Sequence, residues 1–154
     1  MAARKLPMLF SLGATKSPTV DHVRKKLGGR ASTDKGAGAV VTLDVGSGLS
    51  HTGVVIFINA DNVDVWIGDG VVRRATPSAV RPFLDSTPPP LVQVAADATV
   101  FGGIVEGQRV RFRHDTGTAE GTVVEKCKFG VLVERDDRSL VGVSFRRVWP
   151  MEQN

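Results

Sequence analysis

The chain has 154 residues, 42% hydrophobic and 23% charged, a balance that excludes a disordered polypeptide and leaves room for one ordinary domain or two small ones. Its single cysteine, Cys127, excludes an internal disulfide, and no apolar run approaches the roughly 20 residues needed to span a bilayer, so no membrane partner is expected. The net charge of +4 is uneven: residues 1–35 carry eight bases against two acids, whereas residues 36–100 sum to −3 and residues 101–154 to +1.

Residues 1–38 therefore read as a basic arm, holding Arg4, Lys5, Lys16, Arg24, Lys25, Lys26 and Arg30 among its cations. Such an arm attracts polyanions by releasing their counterions, which makes RNA or DNA a candidate partner. Pro7 and Ser11 interrupt the apolar start and no A-x-A site follows, which argues against secretion; a cytoplasmic location is expected. Residues 1–20 hold three bases and no acid, so an organellar presequence stays open beside it. The stretch "SPTVDHVRKKLGG" predicts a short helix near 18–27, with Ser17 as N-cap, Pro18 at the first helical position and Gly28 as the stop. Val20, Val23 and Leu27 share one face of it, and so short a helix needs something to dock on.

The whole chain has 17 glycines, and beyond the arm many valines and clear turn signals predict a mostly β protein. A shift of 68 residues lays 53–82 over 121–150 without a gap and matches Gly53 with Gly121, Val55 with Val123, Val63 and Val65 with Val131 and Val133, Asp69 with Asp137, Val80 with Val148, and Pro82 with Pro150. Each copy reads as five short strands separated by turns such as "GDG" and "DDRS". In "RVRFR", Val110 and Phe112 alternate with three arginines, the pattern of a half-buried strand. Two units are expected, at 39–83 and 107–150. They are joined by a Pro-rich linker, 84–106, that begins as a polyproline spacer at Pro88–Pro90 and holds an extra strand in "LVQVA".

The strand openings "TGVVIF" and "EGTVVE", the central "VDV" and "VLV", and the closing "SAVRP" and "FRRVWP" resemble the small five-stranded barrels of the Tudor, KOW and Src-homology-3-like superfamily. The resemblance covers 39–83 and 107–150. It implies two tandem small barrels, each with a short helical turn before its last strand, and it fixes no functional residue. KOW-type barrels commonly sit in ribosomal and transcription complexes. The methyl-lysine activity of Tudor domains needs an aromatic cage, and a chain without tyrosine and with one tryptophan per copy, Trp66 and Trp149, is poor in the means to build one.

Cys127, His22, His51 and His114 are too scattered for a zinc site, so no metal and no other cofactor is expected. "GLSHT" has Thr52 where a nucleophile elbow needs glycine and reads as a hairpin loop, and "GGRASTDKGAG" lacks the G-K-[ST] ending of a phosphate loop. "DATVFGG" resembles the D-x-[ST]-x-x-G element of PilZ domains, which would imply cyclic di-guanylate. Arg73, Arg74 and Arg81 depart from the accompanying R-x-x-x-R spacing, and the alternative is a connecting turn. No acid, base or nucleophile stands out, so a non-enzymatic binding module is expected. In the nucleic-acid reading the arm, Arg73, Arg74, Arg81, Arg146, Arg147 and Trp149 form the contacts. In the alternative, a protein-interaction adaptor, the helix face Val20, Val23 and Leu27 or a strand edge captures a protein partner.

Overall fold

A computed structural model describes residues 9–11, 17–29, 37–68, 71–114 and 117–151. The structure is mostly β, as expected: the described residues form eleven strands and two α-helices. They divide into two units, 37–102 in the first and 9–29 together with 103–151 in the second. The expected boundary between arm and body is thus corrected. Strand β1 (Leu9–Ser11) and helix α1 (Ser17–Lys26) belong with the C-terminal sheet, and the first unit is inserted between the two parts of the second.

The first unit is a meander of β2 (Val40–Gly46), β3 (Leu49–Ile58), β4 (Val63–Gly68) and β5 (Val71–Ala75). A 3-10 turn at Pro77–Ala79 then reverses the chain, and β6 (Val80–Pro82) returns to pair with β2, giving the order β5-β4-β3-β2-β6. Val41, Leu43, Val55, Val63 and Val65 form the core of this curled sheet, with Val80 and Ala75 packed against them. The β2–β3 turn falls at 46–48 with Gly46, Ser47 and Gly48 all at positive φ, so "GLSHT" lies in a hairpin turn and the strand that leaves it.

Residues 89–102 correct a second expectation. The segment read as a polyproline spacer and a strand is helix α2 (Pro89–Gly102), lying against β3. Proline's fixed φ suits the first helical turn, where its missing N–H costs nothing. Leu91, Val94, Ala98 and Phe101 then recur at helical spacing and are buried. The PilZ-like "DATVFGG" lies mostly within this helix; it is neither a ligand loop nor a connecting turn, and Asp97 is buried there, accepting a hydrogen bond from the Gln93 amide at 2.8 Å.

In the second unit β7 (Arg109–His114), β8 (Gly117–Lys126), β9 (Gly130–Arg135) and β10 (Leu140–Ser144) form the same meander. A 3-10 turn at Phe145–Arg147 leads into β11 (Val148–Pro150), which pairs with β7. With β1 added beside β10, the order is β1-β10-β9-β8-β7-β11. Strands β3 and β8, the two 3-10 turns, and β6 and β11 coincide under the 68-residue shift, and both sheets carry a bulge at the same place, Val55/Phe57 and Val123/Glu125. The matched glycines have one cause. A methyl group on Gly53 or Gly121 would stand 2.5 Å from the carbonyl oxygen of Trp66 or Glu134 on the neighbouring strand. Among the described residues no ladder joins β5 to β6 or β10 to β11, so the hydrogen bonds themselves leave both sheets open.

Helix α1 covers the outer face of the second sheet over β9 and β10 only. Gly28 and Gly29 end it at positive φ, with the Gly29 N–H donating to the Arg24 carbonyl at 2.8 Å. Val23 and Leu27 are fully buried in a cluster with Cys127 and Leu132, and Val20 packs against it. The helix can come this close because Gly142 has no side chain: a Cβ there would collide with Val23.

Candidate functional site

Most of the cations that the sequence singled out are already engaged or scattered. Arg4, Lys5, Lys16 and Arg30 lie outside the described residues. Arg24 binds the carboxylates of Glu125 and Asp21, and the hydrogen bond it donates to Glu125 is the main reason its pKa is raised above the usual guanidinium value. Lys25 is exposed and Lys26 half-buried. The proposed docking face of α1 is corrected: Val23 and Leu27 are spent inside the second unit and present nothing to a partner.

In the first unit Arg73 and Arg74 sit on β5 and Arg81 on β6, at opposite ends of the sheet order. Arg74 forms a two-pronged pair with Asp64, Nε to Oδ1 at 3.0 Å and Nη2 to Oδ2 at 3.3 Å. Asp64 is only 2% exposed, and its hydrogen bonds hold the Arg74 pKa above the usual value. Arg81 donates to Asp44 at 2.9 Å, both side chains being exposed. Arg73 is exposed and makes no ion pair among the described residues. Trp66 is 8% exposed, a packed residue.

The second unit gathers more. On β7 the alternation puts Val110 and Phe112 inside, fully buried, and Arg109, Arg111 and Arg113 outside. Pairing with β11 sets Trp149 opposite Arg111, so its ring lies on this outer face, half-buried, with the Arg113 guanidinium 5.4 Å from the ring centroid. This is cation–π geometry. Two acids share the face: Glu120 pairs with Arg111 at 3.2 Å and with Arg109 at 3.9 Å, and Asp136 pairs with Arg109 at 3.1 Å. Arg113 makes no ion pair among the described residues, so the positive charge left over on this face is its own.

Arg146 and Arg147 occupy the 3-10 turn just before β11, both half-buried, and the Arg146 backbone N–H donates to the Ser144 hydroxyl at 3.2 Å. Sequence reasoning found Trp149 and this pair but missed Arg109, Arg111 and Arg113. Their signal is the period-2 alternation in "RVRFR", which marks a strand and, equally, the residues of its outer face.

Among the described residues no helix is long and apolar enough to cross a membrane. No protein-family model matches the chain, and no curated protein matches it in sequence.

Proposed function

We propose that the protein is a non-enzymatic binding module, an accessory protein of a nucleic-acid-containing complex, built from two small barrels of the Tudor/KOW type. The barrel assignment draws support from the shared topology: a four-strand meander, a 3-10 turn, and a short last strand that returns to the first. The observation that carries the nucleic-acid reading is the outer face of β7 and β11, where Arg109, Arg111 and Arg113 stand in a row beside Trp149. Guanidinium groups contact phosphates and an aromatic ring adds stacking, the combination that nucleic-acid surfaces use. The cations of the basic arm add an unspecific electrostatic term. The test is fluorescence anisotropy with labelled oligonucleotides in a salt series. The logarithm of the binding constant should fall linearly with the logarithm of salt concentration, and binding indifferent to salt would remove the reading.

A protein-interaction adaptor is the second reading, favoured by one observation. Strand β5 pairs with β4 alone among the described strands, so its other edge is open to strand addition. Partners retained in a pull-down after nuclease treatment would favour it.

A further inference from the structure

The two units carry different chemistry at the same place, and the difference is directional. Strand pairing makes Val41 equivalent to Val110, since Val41 lies opposite Gly53 and Pro82 while Val110 lies opposite Gly121 and Pro150. Thr42, Asp44 and Arg81 of the first unit therefore occupy the positions of Arg111, Arg113 and Trp149 in the second. In the first unit the diagonal pair is an ion pair, Arg81 on Asp44. In the second, the acid has become arginine and the arginine tryptophan, and the diagonal pair is the guanidinium of Arg113 over the ring of Trp149. One patch is neutralised. Its counterpart pairs Arg109 and Arg111 with Asp136 and Glu120 but keeps the charge of Arg113 and the planar ring of Trp149.

We infer that the outer face of β7 and β11 in the second unit is a stacking platform for single-stranded nucleic acid, and that the equivalent face of the first unit is not. This inference rests on the nucleic-acid reading above and deepens it. A half-exposed tryptophan and a guanidinium plane offer π surfaces to an unpaired base, which a duplex keeps stacked on its neighbours. Arg109, Arg111 and Arg113 project from alternate residues of one strand, about 7 Å apart, a spacing that can follow successive phosphates of an extended strand where phosphate displaces Asp136 and Glu120 from the first two. An acidic peptide would answer the charge but leave the ring unused.

The test measures full-length protein against a labelled oligothymidylate and a duplex of equal length. Trp149→Ala should weaken the single strand roughly tenfold and the duplex far less, and Trp149→Phe should keep most of the affinity. Arg113→Lys retains the charge and removes the plane, so it should lower single-strand affinity while sparing the duplex. That variant keeps the proposal testable where Trp149→Ala fails to fold. Single-strand binding unchanged in Arg113→Lys and in the Trp149 variants, with salt-dependent binding intact, would overturn the platform and leave the broader nucleic-acid function standing. Failure of the wild type to bind either probe would overturn both.

Discussion

Arg138 holds a left-handed backbone, φ 71°, in the turn between β9 and β10, where an L-residue is strained by its own Cβ. Asp137 makes the turn tolerable by accepting the backbone N–H of Ser139 at 2.9 Å and the Ser139 hydroxyl. Arg138→Gly should therefore stabilise the protein by about 0.5 kcal/mol, the relief of strain less the added freedom of the unfolded chain, a gain measurable by urea unfolding. The same hydrogen bonds, the hydroxyl first, lower the Asp137 pKa. A lowered folded value stabilises the protein above the unfolded pKa of about 3.9 and is lost as pH falls through the folded value. The melting-temperature advantage of wild type over Asp137→Asn should accordingly be present at neutral pH and close in strong acid. Asp64 and Arg74 form the other residue-scale commitment. Removing Arg74 strands a buried carboxylate, so Arg74→Met should cost about 3 kcal/mol, whereas Asp64→Asn leaves a half-exposed guanidinium that water can solvate and should cost less. Equal losses in denaturant melts would mean that Arg74 does not compensate Asp64.

Elements that repeat were legible because their marker residues are structural. Gly53 and Gly121 permit a close strand approach, and Val80 with Pro82 and Val148 with Pro150 build the returning strand. Helix α1, Ser17–Lys26, was legible by its proline and by its stop at Gly28. Helix α2 was not: three prolines suggested an extended spacer and the valines a strand, although Leu91, Val94, Ala98 and Phe101 carried the helical period. Strand β1 gives no local signal, since its three residues are strand only through pairing with β10. The candidate site divides likewise. Trp149 stood out alone, but its relation to Arg113 depends on β11 returning to β7, which composition does not announce. A close element contact lies at Gly142, beneath α1. In the equivalent position of the first unit stands Arg74, where no helix need approach. Gly142→Val should cost about 1–3 kcal/mol by overpacking and speed amide exchange in residues 20–27, while Gly142→Ala should do so to a smaller degree.

At the scale of the whole molecule, the second unit is discontinuous in sequence, and this decides how the basic arm can be studied. Val23 and Leu27 bury themselves completely against the C-terminal sheet, and each is worth about 1.5–3 kcal/mol of burial. Their sum, about 3–6 kcal/mol, reaches the lower end of the whole stability of a small domain, about 5–15 kcal/mol. Deleting residues 1–29 would thus remove a wall of the second unit along with its charge. Cys127 reports the consequence. Its thiol is inaccessible under α1, 3.7 Å from Glu125 Oε2, so in the full chain it should resist a thiol reagent until the protein unfolds. In the truncated chain it should react under native conditions, and the thermal transition should broaden or split. A truncated chain with protected Cys127 would mean that α1 is dispensable to the second unit. If the thiol is exposed, lost nucleic-acid binding after truncation would measure unfolding as much as lost cations. Charge reversal at Arg4, Lys5, Lys16 and Arg30, with residues 17–29 kept, is then the change that separates the arm's electrostatics from the fold it belongs to.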